Sequence, residues 1–411
     1  MVLTFNSLIE ENSLNSLEKI SAFFDKEFFI KSEDDLSILK LPKNVSGSDL
    51  SAYQRAFKSM IFNNKTMNMV APAVSIPIET EGDENLERAM MQIDDKGLQH
   101  IQSLHDGVMF RFYFHNDEWK FSTNGMITPT RGWNGNRSFQ ELMFDATDNF
   151  PFDKLDRSCC YYIILVHPEH HNVVKYCETE LYLQDIYNLQ TEKFLTLAQI
   201  NNHLEQINGE NGALFINALS TVDSELKELL NSDQMTKIVE IPVTPDRIGY
   251  LVTDNEGNKY RFESAHFQIA KKFRANQPDK RKIWVNLRNS QVDQEVYLAF
   301  YPDDAEVFTD MKTKFNALIK RFFQEYGNRF KLKQNVIHHS RHVKAINGLH
   351  AIYEQRRAEG LSNDKASITK DDIYKYLNQM EDRQVFYLIN PDNVPPTYSY
   401  QTRKQVTQLT L

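Results

Sequence analysis

Cysteine is scarce in this chain: Cys159, Cys160 and Cys177 are the three among 411 residues. No Cys-x-x-Cys spacing occurs, which excludes a zinc ribbon and a disulfide framework and makes a reducing compartment the default. No apolar run approaches the roughly 20 residues that a membrane span needs. Met1 to Ile20 mixes Glu, Asn and Leu without a basic leader into an apolar stretch, so a secretory signal is not expected. A surplus of positive charge is missing too. The formal net charge is −9, so any nucleic-acid surface has to be local. A soluble, cytoplasmic protein with no membrane partner is the expectation.

What is present is ordinary globular material: 41% apolar and 25% charged residues, enough for two domains. Leu8, Ile9, Leu14, Leu17, Ile20 and Phe24 follow a helical spacing, and residues 26–78 read as short strands, among them Phe57 to Phe62. Val108, Phe110, Phe112 and Phe114 alternate with Met109, Arg111 and Tyr113, the pattern of a strand over 107–121. Phe139 to Ala146 reads as a helix, and Cys159–Val166 and Val173–Leu183 as a strand pair in which Cys159 and Cys160 face opposite sides. Residues 190–235 suggest two helices, the second from near Thr221. Strands are expected at 237–243, 249–253 and 258–263, then helices at 305–327, 342–357 and 370–382, the last capped by Thr369. The implied division is a domain over 1–290, a helical domain over 291–393 and a polar tail over 394–411.

Residues 101–125 are the most informative. Asp106-Gly107 opens the alternating strand, a polar turn follows, and a second strand ends in Ser122-Thr123-Asn124-Gly125. This resembles the nucleotide-attachment segment of covalent nucleotidyltransferases, specifically the RNA ligases of large phages and giant viruses, in which Lys-x-Asp-Gly supplies the attacking amine. The aligned residues here are Leu104-His105-Asp106-Gly107, and leucine has no lone pair with which to attack phosphorus. Further motifs align with similar losses. Lys58 stands for an upstream arginine, keeping the charge but not the bidentate fork. Ile164 stands for a glutamate in the third motif. Ile248-Gly249-Tyr250-Leu251 matches Glu-Gly-Tyr-Val without its glutamate. Tyr260-Arg261-Phe262-Glu263-Ser264 matches Tyr-Lys-x-Lys-Ser, with one lysine turned to arginine and the other to glutamate. Framework positions such as Trp133, Ser138-Phe139, His167-Pro168-Glu169 and His350 to Tyr353 fit the family.

The resemblance implies an α+β fold: a nucleotidyltransferase (ATP-grasp-like) antiparallel-sheet domain followed by a helical C-terminal domain. It implies a catalytically inactive member that binds an RNA end, a cap or a nucleotide, or that scaffolds a viral RNA-processing, translation or transcription complex in the host cytoplasm, a viral factory or the virion. No cofactor is expected. The alternatives are an active ATP-dependent RNA ligase with an atypical nucleophile, using ATP or GTP and Mg, and a structural virion protein without RNA affinity. Candidate nucleotide- or RNA-binding residues are Lys58, Asp106, Arg111, Lys120, Arg131, Arg247 and Arg261, joined by Lys271, Lys272, Arg274, Lys320 and Arg321 from two basic stretches. Residues 312–344 hold nine Lys or Arg against the single acid Glu325, either a nucleic-acid surface or a solvated helix face.

Three side features complete the reading. Lys96 is a displaced-nucleophile candidate, disfavoured because no alternating strand is expected after it. His105 is a remote candidate for a phosphoryl acceptor. His338 and His342, four apart, suit one face of a helix, but without a third ligand no metal site is expected.

Overall fold

A computed structural model of the chain describes residues 4–42, 45, 50–74, 76–132, 137–170, 173–209, 215–218, 248–274, 277–334 and 340–390. The chain separates into two compact units, Met1–Ile269 and Ala270–Leu411, a division about one helix earlier than residue 290. The first unit is α+β with largely antiparallel sheets, and the described part of the second is helical. No helix among the described residues is long and apolar enough to cross a membrane.

Three sheets build the first unit. In the first, β1 (Phe29–Glu33), β2 (Leu36–Lys40), β3 (Ile61–Asn63) and β4 (Met69–Ala71) pair in sequence order. The second runs β11-β10-β9-β7-β8, with β7 (Val108–His115), β8 (Glu118–Thr123), β9 (Cys159–Val166), β10 (Glu180–Asn188) and β11 (Lys193–Phe194), and β12 (Asn217–Ala218) joins β10. The third runs β5-β14-β13-β6, from β5 (Ile78–Glu79), β6 (Leu98–Leu104), β13 (Gly249–Asp254) and β14 (Lys259–Glu263).

The alternation in β7 and β9 sorts their side chains between two cores. Phe110, Phe112, Cys159, Tyr161 and Ile163 bury against the helices Phe139–Ala146 and Leu197–Asn208. Tyr113, Cys160 and Tyr162 point the other way, against Ile38, Ile61 and Ala71 of the first sheet. The neighbouring cysteines thus face opposite sides, and the burial of Cys160 pushes its thiol pKa up to about 12.

Arg111 lies on that second face and is wholly buried. Its guanidinium donates to the carbonyls of Ser59, Pro72 (2.9 Å) and Thr123 (3.1 Å), and no carboxylate among the described residues pairs with it. It ties the turn before β3, the segment after β4 and the end of β8 together. A phosphate contact, expected from the sequence, is therefore not available to it.

Other expectations change as well. The stretch before β3 is a helix, Ala52–Phe57, because Ser51 and Gln54 form a reciprocal capping box. The strand expected from Val173 starts only at Glu180. The helix Asp83–Lys96 and β6 stand where no element was expected. β6 does not alternate, since Ile101 to Leu104 are all buried. The second helix from Thr221, the strand at 237–243 and the tail 394–411 lie outside the described residues.

In the second unit, Ala305–Tyr326 buries Phe308, Met311, Phe315, Leu318, Ile319, Phe322 and Tyr326 at helical spacing. It packs against Lys280–Leu287, Ser340–Ala358, Lys370–Gln379 and Asp382–Ile389. Thr369 caps Lys370–Gln379 with Asp372 in a capping box.

Replacing Arg111 by methionine keeps bulk but strands three carbonyls. The expected loss is on the order of 3 kcal/mol, read as a lower urea midpoint with unchanged slope; an unshifted midpoint would show that the buried guanidinium ties nothing.

Candidate functional site

The antiparallel ladders of the third sheet set residues side by side in rows. Leu104, Gly249 and Glu263 form one row; Gln102, Leu251, Arg261 and Glu79 the next; His100, Thr253 and Lys259 the third. Partners in a ladder share a face, so these rows occupy one side of the sheet. The opposite side, with Ile101, Tyr250, Val252, Tyr260 and Phe262, is sealed by Ala89 and Ile93 of the helix Asp83–Lys96.

Ile248 joins the first row through its backbone, donating to the Leu104 carbonyl (3.0 Å) while its own carbonyl accepts from Ser264 (2.9 Å). Ile164 reaches the same corner because Gly107 abuts it: a Cβ at Gly107 would stand 2.5 Å from both Ile164 Cγ2 and the Leu165 carbonyl oxygen. The ladder thus brings Leu104, Ile248 and Glu263 together, and Ile164 lies against Gly107, three residues on from Leu104. Leu104, Ile164 and Ile248 are buried aliphatics.

The charges of this face neutralise one another. Arg261 pairs with Glu263 through Nη2 (2.7 Å) and Nε (2.9 Å) and approaches Glu79 at 3.9 Å. On a strand, residues two apart share a face, so the Arg-x-Glu pair was legible in the sequence as an internal ion pair as well as a reversal of sign. Lys259 pairs with Asp185 of β10, an ion pair that links the second and third sheets and that no local pattern announces. His100, in the same row, has its imidazole pKa held below the usual range by burial and then by the Lys259 charge. An Mg-bound triphosphate would need carboxylates for the metal and unpaired cations for the phosphates. The residues present do not fit that group: the glutamate positions are Ile164 and Ile248, and both cations of the face are committed. No cluster of three metal-ligating side chains occurs among the described residues.

Asp106 holds a structural post. One carboxylate oxygen accepts from the amides of Val173 (2.6 Å) and Val174 (2.8 Å), and its own N–H donates to the Tyr176 hydroxyl (2.7 Å). The loop that should have been strand is held here. His105 is buried with its ring stacked on Tyr182 at 3.9 Å. Lys96 is followed by a strand after all, but it lies at the far end of β6 from Leu104. There it pairs with Glu256 (2.8 Å) and Asp254 (3.9 Å), and the Glu256 hydrogen bond raises its ammonium pKa.

The remaining candidates scatter. Lys58 follows the helix Ala52–Phe57, half-buried, with its ammonium pKa lowered by burial and no ion pair to a described residue. Lys120 pairs with Glu118 (3.0 Å), and Arg131 is exposed. In the second unit Arg274 is buried, 3.4 Å from the Tyr297 hydroxyl, 3.9 Å from Asp304 and over the Tyr301 ring, so it is removed from any surface. Lys272, Lys320 and Arg321 are exposed and Lys271 half-exposed. His342 is buried and faces Glu325 at 3.2 Å. Arg247, Trp133 and His338 lie outside the described residues.

No protein-family model matches the chain, and no curated protein matches it. Among solved structures it is similar to the RNA ligase of Naegleria gruberi. A form with ATP and Mn aligns at 16% identity and a TM-score of 0.35, covering 45% of this chain and 55% of that one. A form with PPi aligns at 16% identity and a TM-score of 0.35 over 50% and 66%. The chain thus spans about half the length of the first of these ligase structures, and a likeness of this size carries no argument about activity.

Asp106→Ala orphans two amides. We expect a loss of about 2–3 kcal/mol and faster hydrogen exchange at Val173 and Val174; protected amides in the variant would show that the carboxylate does not hold this loop.

Proposed function

We propose that this chain is a catalytically inactive RNA-ligase-like protein, one that binds RNA or serves as a scaffold within an RNA-handling complex and transfers no nucleotidyl group. The single observation that supports the reading is the row Leu104–Gly249–Glu263 with its neighbour Arg261. Where covalent transfer needs an amine and free cations, this face holds a buried leucine and a closed Arg–Glu pair. Loss of the nucleophile closes the two-step route, and each missing electrostatic stabiliser costs roughly 3–4 kcal/mol of barrier.

RNA is the favoured partner over a purely structural role because exposed cations such as Lys320 and Arg321 remain available in the second unit. A viral origin and a cytoplasmic or virion setting belong to the same proposal and rest on the family resemblance alone.

Incubation with α-labelled ATP or GTP and Mg²⁺, followed by denaturing electrophoresis, tests the inactive reading. No labelled band is expected at the protein's mass, and its appearance would restore the active-ligase alternative. Retention on single-stranded RNA is expected to weaken steeply with salt, as phosphate contacts require. Absent retention at low salt would leave only the structural role.

A further inference from the structure

Charge is divided unevenly between the two units. Ala270–Leu411 carries 24 Lys and Arg against 16 Asp and Glu, a formal +8, whereas Met1–Ile269 carries 23 against 40, a formal −17. Cations are paired in both units, Lys96 and Lys259 in the first and Lys280, Arg288, Lys314, Arg356 and Lys375 in the second. In the second unit Lys312, Lys320, Arg321, Arg329, Lys333 and Lys344 nevertheless have no carboxylate within ion-pair distance among the described residues.

Part of that unpaired charge surrounds a row of rings. The long helix Ala305–Tyr326 ends in a π-helical turn, Gly327–Lys331, which lays Phe330 on His350 with centroids 3.7 Å apart and planes 8° apart. Tyr353, nearly one turn beyond His350 in Ser340–Ala358, continues the row at 5.6 Å and 15°. Arg329 lies over Phe330, 5.1 Å from its centroid. Filling a core would bury these rings as it buries Tyr326 and Leu349 beside them, yet Phe330, His350 and Tyr353 all remain partly open to solvent. Lys331 and Lys333 are exposed, the former bonded, among the described residues, only to the neutral Ser367 hydroxyl (2.8 Å). Leu332 between them is 63% exposed. π-Helical turns are themselves concentrated at functional sites.

We infer that this surface is a binding site for single-stranded nucleic acid, with a base stacking on the end of the row at Tyr353, which His350 and Phe330 back, and phosphates held by Arg329, Lys331 and Lys333. Ring faces together with unpaired cations match a polyanion whose bases are free to stack. A duplex hides those faces, and an acidic protein would use the cations without the rings. The site is remote in sequence from the Leu104 face, so labelling of the chain by ATP would overturn the inactive reading and leave this one standing.

The test is fluorescence anisotropy of the full chain with a short fluorescein-labelled RNA, single-stranded or annealed to its complement. The single strand is expected to bind tighter than the duplex. Tyr353→Leu should weaken it by about tenfold, the loss of one stacked base; His350→Leu, which removes the ring behind Tyr353, should weaken it as well, and the pair Arg329→Glu with Lys333→Glu should weaken it further and flatten its salt dependence. Equal affinity for the duplex, or unchanged binding by the ring variants, overturns the proposal. Displacement of the RNA by polyglutamate at equal charge concentration would assign the surface to an acidic protein instead. Should a variant lose its circular dichroism, photocrosslinking of thiouridine-substituted RNA to the unaltered chain decides: adducts within 329–353 support the site, and adducts only elsewhere overturn it.

Discussion

The register of β6, β13 and β14 is the constraint on which the functional reading depends. It puts Leu104, Gly249 and Glu263 in one row and Arg261 in the next. A slip of one residue would send each of these side chains to the opposite face. Gly249 helps to hold the ladder, because a Cβ there would collide with the Phe262 carbonyl. With the register set, the face has nothing left to offer a triphosphate. Its arginine is taken by a glutamate two residues away and its lysine by Asp185, and the row beside them holds the buried aliphatic Leu104.

Residues of a catalytic type survive in other posts. Asp106 satisfies the amides of a loop, and Arg111 satisfies three carbonyls where strands and turns of two sheets converge. Buried polar groups of this kind are expensive to remove once their partners have been desolvated. That cost is a sufficient structural reason for both residues to stand where they do. Gly107 persists for a steric reason, its contact with Ile164 and the Leu165 carbonyl. The two units also differ in formal charge, −17 for Met1–Ile269 against +8 for Ala270–Leu411.

Much of the architecture was legible because it rests on local periodicity and capping. The β7–β8 hairpin, the helix Phe139–Ala146, the opposed Cys159 and Cys160 and the Thr369 cap all follow from spacing and from short-range hydrogen bonds. What was not legible involves partners distant in the chain. β6 is buried on both faces and so lacks alternation, and Val173 to Tyr176 is apolar enough to read as strand but is captured by Asp106 instead. Arg111 looked like a cleft cation because burial cannot be read from one residue in an alternating strand. At the site, the aliphatic side chains at Leu104, Ile164 and Ile248 were visible in the sequence, whereas the neutralisation of Lys259 by Asp185 was not.

The sequence by itself determined which side chains are present to do chemistry: no amine at position 104, no carboxylate at 164 or 248, and opposite charges two apart at 261 and 263. Such facts are covalent, and no fold can change them. Only the tertiary structure decided which charges remain available. Availability depends on whether a carboxylate or carbonyl from elsewhere in the chain comes within a few ångströms, and that is settled by sheet register and helix packing.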